Sequence, residues 1–239
     1  MDWGDVDNDG DLDAVMASYD TEIEKREGGI FDYRGGGVGV FVYARTGDTY
    51  LAQRLIDEAD SLALALVDLN ADQRLDILVG NDFVRPDYVW LRAESELLDF
   101  EQPDANWTAA TPFKATAENT MSYDAGDIDN DGVDEIYATD MKPYADDEET
   151  MAAWEPLMGM MAHATEPGDP QIVENVLLFG AADGQFENQG GQRAVDATGW
   201  SWSSKFGDLD NDGFLDIYVV NGMIASDFLE HLPGNELVE

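Results

Sequence analysis

Four stretches of the chain share one alternation: a short run of acidic and polar residues, then a run of apolar ones. The apolar runs are DAVMA (13–17), DILVG (76–80), EIYAT (135–139) and DIYVV (216–220). Each is nearly continuous in apolar character, the pattern of a strand covered on both faces. Around the second run, SLALALVD (61–68) leads in, DYVWLRA (87–93) follows, and LLDFEQ (97–102) is expected to close a four-stranded unit before the polar PDANWT (103–108). Further on, NVLLFGAADGQFENQ (175–189) reads as a hairpin turning at Asp183–Gly184. Residues 142–174 break the pattern; Met- and Ala-rich and acidic at the start, they predict a helical excursion from a sheet edge.

Aligned by their acidic starts, GDVDNDGDLDAVMASYD (4–20), VDLNADQRLDILVGNDF (67–83), GDIDNDGVDEIYATDMK (126–142) and GDLDNDGFLDIYVVNGM (207–223) follow one template. The chain is therefore a repeat protein with a unit of roughly sixty residues, and such four-stranded antiparallel modules, arrayed radially, make propellers. The expected units are 1–60 with a truncated first strand, 61–119, 120–200 carrying the insertion 142–174, and 201–239, incomplete. The expected fold is an all-β propeller of which about three and a half blades are present. Because an unclosed array exposes strand edges, further blades of a longer chain or a second copy are expected to cover them.

Composition narrows the partners. The 239 residues carry 52 acidic against 12 basic side chains, formally −40, which excludes nucleic acid or an anionic membrane surface as the target. Salt adaptation could contribute part of that acidity. With no cysteine there is no disulfide, thiol catalysis or thiolate metal site. No apolar run approaches the ~18 residues of a membrane span, and no signal segment lies in this sequence.

The loops carry the chemistry. In DVDNDGDLD (5–13), Asp5, Asp7, Asp9 and Asp13 fall at positions 1, 3, 5 and 9, with Gly10 at the turn and the Asp11 carbonyl at position 7. These are hard oxygen donors at the spacing of a calcium loop. An EF-hand would need a bidentate Glu at position 12, where this chain has Met16, Val79, Ala138 and Val219, so the ninth residue must close the shell. Asp, Asn and Gly also favour turns that hold no metal; four such loops in register favour the metal reading.

A D-x-D-x-D-G-x-x-D loop between strands, repeated this way, resembles the FG-GAP or VCBS repeats of the integrin alpha-chain propeller and its bacterial relatives. NVLLFGAADGQF, followed by TGWSWSSKFGDLDNDGFLDIYVVNGM (198–223), also resembles ASPIC/UnbV-type propellers, related to the cartilage acidic proteins. The resemblance implies calcium (Ca2+) bracing each blade through Asp127, Asp129, Asp131 and Glu135, and through Asp208, Asp210, Asp212 and Asp216, with the Val133 and Phe214 carbonyls at position 7. The second loop, with Asp68, Asn70, Asp72 and Asp76, has Gln73 where glycine belongs and Arg74 beside it, so weak occupancy or none is expected there. If a site binds at ~0.1 mM and free calcium is ~1 mM, each contributes about 1.4 kcal/mol, and all would stand empty at cytosolic calcium. The expected setting is therefore outside the cell, at its surface or in the periplasm.

Other features point less far. RGGGVG (34–39) lacks the Lys-Ser/Thr of a phosphate loop and reads as a turn. His163 and His231 have no serine motif near them, and no carboxylate pair is singled out for catalysis. Trp90, Trp107, Trp154, Trp200 and Trp202 are read as blade aromatics ahead of sugar-stacking rings, and Met151, Met158, Met160 and Met161 as helix packing. Asn-Trp-Thr (106–108) is a glycosylation sequon. The expectation is a non-catalytic binding or adhesion module for protein or glycan, contacting its ligand through 142–174. The alternatives are the propeller scaffold of a carbohydrate-active enzyme such as a polysaccharide lyase, or a structural spacer in a surface protein.

Overall fold

The computed structural model describes residues 1–20, 38–82, 85–94, 98–152, 154, 170–181 and 184–222. The first unit is an antiparallel sheet of β1 (Asp2–Gly4), β2 (Asp13–Ala17), β3 (Val40–Thr46) and β4 (Thr49–Ile56), each strand beside the next. The second repeats that order with β5 (Ser61–Val67), β6 (Asp76–Asn81), β7 (Tyr88–Arg92) and β8 (Trp107–Ala110). After a short β9 (Thr116–Ala117), the third opens with β10 (Ser122–Gly126) and β11 (Glu135–Thr139). Two-residue strands β12 (Met141–Lys142) and β13 (Gln171–Ile172) flank the insertion, and β14 (Val176–Gly180) and β15 (Phe186–Asn188) complete the third sheet. In the fourth unit β16 (Gly199–Gly207) pairs with β17 (Asp216–Asn221). Among the described residues the fold is all-β, and no helix is long and apolar enough to cross a membrane.

The core is a series of seams between units. Val15, Val42, Ile77 and Val79 belong to a cluster shared by the first and second units, and Leu78, Val89, Ile136 and Leu178 to one shared by the second and third. Tyr137, Leu177 and Phe179 form a third cluster with Phe206 and Ile217 of the fourth. First strands stand beside first strands, β1 by β5, β5 by β10 and β10 by β16, so the units stack face to face. This is why β6 and β11 are buried at every residue, as their continuous apolar runs predict. The run in β17 departs from that expectation: Tyr218 is 58% exposed, whereas Val15, Leu78 and Tyr137 at the same place in the repeat are 0% exposed. No unit covers the outer face of β17 among the described residues.

The outer strand of the second unit also differs from expectation. Described residues 98–102 form no strand, and Trp107–Ala110 pairs with β7 instead. Leu98 and Phe100 turn inward onto the first seam from irregular backbone. The Asn106 side chain supplies the hydrogen bonds a ladder would have given, accepting from the Asp99 N–H at 2.8 Å and donating to the Asp99 carbonyl at 3.1 Å and to Gln53 Oε1 at 2.9 Å. Asn106 is thus buried, and the sequon offers no accessible amide.

β14 and β15 pair as the expected hairpin, although Asp183 lies outside the described residues. The excursion leaves between the second and third strands of its unit rather than from an edge. It is pinned at both ends, β12 pairing with β16 and β13 running parallel to β9. Residues 148–152 are helical; 153 and 155–169, with Met158, Met160, Met161 and His163, lie outside the described residues, as does His231. Trp154 is buried against Met121, Met141 and Trp200. Trp90 and Trp107 are buried in the first seam, as expected, while Trp202 is exposed.

Candidate metal centres

Each acidic loop links the first strand of a unit to the second, and its own side chains dictate its shape. The carboxylate at position 1 accepts two backbone N–H groups, from positions 5 and 6: Asp5 from Asp9 and Gly10, Asp68 from Asp72 and Gln73, Asp127 from Asp131 and Gly132, Asp208 from Asp212 and Gly213. The carboxylate at position 5 accepts from the N–H of position 7, which is Asp11, Arg74, Val133 or Phe214. These contacts force the backbone through two left-handed residues. Position 4 has φ between 58° and 62° (Asn8, Ala71, Asn130, Asn211), and position 6 has φ near 90° in Gly10, Gly132 and Gly213. Gln73 holds the second of these places at φ 65°, where an L side chain is strained.

The ninth residue is a clasp as well as a candidate ligand. Asp13, Asp76, Glu135 and Asp216 each accept the N–H of position 2 in their own loop, at 2.8 to 3.0 Å. Asp13 and Asp76 use the second oxygen for the N–H of Arg45 and Arg92 on the third strand. One carboxylate therefore ties the loop to two strands. Arg92 also reaches across the first seam, its Nε donating to the Val6 carbonyl at 3.1 Å inside the first loop.

Three loops gather carboxylate oxygens within 4.8 Å of one another: Asp5, Asp7 and Asp13; Asp127, Asp129 and Glu135; Asp208, Asp210 and Asp212. Asp9, Asp131 and Asp216 stand outside these groups, and Asp11 turns its side chain to Arg45 at 3.2 Å. Val133 and Phe214 offer only backbone oxygen, and their side chains are exposed. The second loop, with Asn70 in place of a carboxylate at position 3, contributes no such group among the described residues. Its hydrogen bonds are those of the others, but Arg74 Nη2 lies 2.7 Å from Asp72 Oδ2 and supplies a positive charge from the protein itself.

Electrostatics expresses the crowding. Burial pushes the Asp7 carboxyl up to about 6, with Asp13 and Asp9 adding repulsion, and pushes Glu135 up to about 7, with Asp129 and Asp131 adding theirs. Asp13 is also raised, chiefly by burial. A cation would relieve both causes. The donors are all oxygen, which suits calcium or magnesium and disfavours softer metals. The donor chemistry thus fits a hard cation of the calcium or magnesium kind.

An acid-rich loop thus joins the first two strands in every unit of this all-β repeat. The FG-GAP-like repeat model matches residues 68–138 and 166–219, just over half of the chain, and the chain belongs to that family. The matched residues begin at the second loop, yet the first loop reproduces its hydrogen bonds contact for contact. None of the curated proteins searched matches the chain.

Proposed function

We propose that this chain is a calcium-braced, propeller-type repeat module that works outside the cell, at its surface or in the periplasm, binding a protein or glycan and catalysing nothing itself. The observation that carries the reading is one loop scaffold built four times, three times with three carboxylates whose oxygens lie within 4.8 Å of one another. Calcium bound there would hold the first and second strands of a unit together and neutralise part of a formal charge of −40. Three sites at ~0.1 mM in ~1 mM calcium would add roughly 4 kcal/mol, a large share of a typical 5–15 kcal/mol stability. The likeness of residues 175–223 to ASPIC/UnbV-type propellers belongs to the same reading. A further unit, in a longer chain or a second copy, would cover the Tyr218 face.

The test is thermal unfolding of the purified chain in millimolar calcium and in excess chelator. Calcium should raise Tm by several degrees, and Asp127→Ala with Asp208→Ala should remove most of that gain. Equal transitions in the two buffers would refute calcium bracing and remove the support for an extracellular setting.

A further inference from the structure

The loops are linked to one another across the seams. Asn130, at position 4 of the third loop, donates from Nδ2 to the Gly213 carbonyl at position 6 of the fourth, at 3.0 Å. Asn8 makes the equivalent contact from the first loop to the Gln73 carbonyl of the second, at 3.3 Å. Between the second and third loops the series is broken, because position 4 is Ala71 and has no side-chain donor.

The contact lands between candidate ligands on both sides. Asn130 is flanked by Asp129 and Asp131, and φ of 62° aims it out of its own loop. Its acceptor belongs to the Gly213–Phe214 peptide, whose N–H holds Asp212 Oδ1 at 2.9 Å, while the Gly213 N–H is held by Asp208 Oδ2 at 3.1 Å. Fixing that peptide orients Asp212 directly and Asp208 through the adjoining Asp212–Gly213 peptide, two of the three carboxylates gathered in the fourth loop.

We propose that Asn130 is a positioning residue that couples calcium binding in the third and fourth loops, so that these two sites fill cooperatively while the first fills independently. The proposal rests on the calcium reading above. An ion in the third loop would fix the backbone on either side of Asn130 and, through its amide, the peptide that sets the fourth site. By linkage the fourth site would return the same factor to the third. One hydrogen bond of ordinary strength corresponds to roughly two- to tenfold in that factor. The first loop has no such partner, since Asn8 reaches the loop that carries Arg74 and gathers no carboxylate group among the described residues.

The experiment is a calcium titration of the chelator-stripped full chain, followed loop by loop through the backbone amide resonances of Gly10, Gly132 and Gly213. Disabling the fourth site with Asp210→Ala should weaken binding at Gly132 by roughly two- to tenfold in the parent chain, and by nothing further once Asn130→Ala is present. Asn130→Ala should fold, because Ala71 occupies the same left-handed place in the second loop. The Gly10 site should be indifferent to both changes. If Gly132 and Gly213 titrate with the same affinities in the parent chain, Asp210→Ala and Asn130→Ala, each at its surviving site, the coupling is wrong and the calcium reading stands. If no amide responds to calcium, both are wrong.

Discussion

Replacing Gly80 with alanine tests whether the units are held face to face as closely as the seams require. A Cβ at Gly80 would stand 2.3 Å from Thr120 Cγ2, 2.8 Å from Thr120 Cβ and 2.9 Å from Ala63 Cβ, closer than carbon atoms approach. Thr120 belongs to the third unit and is fully buried, and it cannot turn its methyl away freely. Its Oγ1 donates to Asp87 Oδ2 at 2.8 Å and its N–H to the Asn81 carbonyl at 3.0 Å. Overpacking at such a contact costs roughly 1–3 kcal/mol, and loss of the Thr120 bond about 1 kcal/mol more. Alanine recovers ~0.5–1 kcal/mol of backbone entropy, leaving a net loss of about 2 kcal/mol. Urea unfolding in calcium, followed by tryptophan fluorescence, measures it. Thr120→Ser removes the offending methyl while keeping Oγ1, so Gly80→Ala should cost about 1 kcal/mol less in that background. The seam argument fails if Gly80→Ala lies within ~0.5 kcal/mol of the parent chain, or if Thr120→Ser gives no relief.

Two more outcomes follow from the site geometry. Asn70→Asp with Gln73→Gly and Arg74→Val gives the second loop the residues of the others and removes its own cation, so calcium stoichiometry measured by calorimetry should rise by one site; an unchanged stoichiometry would mean that loop sequence does not decide occupancy. In chelator, stability should fall as pH rises from about 5 to 8. Burial pushes Asp87 and Asp140 up to about 7, so the folded chain binds these protons more tightly than the unfolded chain and loses that advantage as pH passes through 7. The combined effect is on the order of a few kcal/mol. Calcium should reverse the trend, because protonated Asp7 and Glu135 cannot ligate; a chelated Tm that climbs toward pH 8 would contradict this assignment.

Much of the architecture is legible in residues that act locally. The acidic loops with their glycines predict the turns, since the carboxylate at position 1 can reach only the N–H groups four and five residues on, and only glycine passes easily through φ near 90°. The continuous apolar runs predict strands covered twice, and Asn70, an amide where the other loops have a carboxylate at position 3, marks the loop that gathers no carboxylate group among the described residues. Where the outcome depended on a distant partner, the sequence was silent or misleading. LLDFEQ has the composition of a strand, but Leu98 and Phe100 are worth more against the first seam, and the Asn106 amide frees the backbone from a ladder. Neither the clasp of Asp76 on Arg92 nor the reach of Arg92 to Val6 is visible in spacing, because the bonded groups lie in different strands or units. The sequence by itself determined the repeat, the loop conformations and the oxygen donors, all set by interactions within about ten residues. Only the tertiary structure decided which carboxylates converge, which strands close each sheet and that Asn130 meets Gly213, because those contacts exist only once the units have stacked.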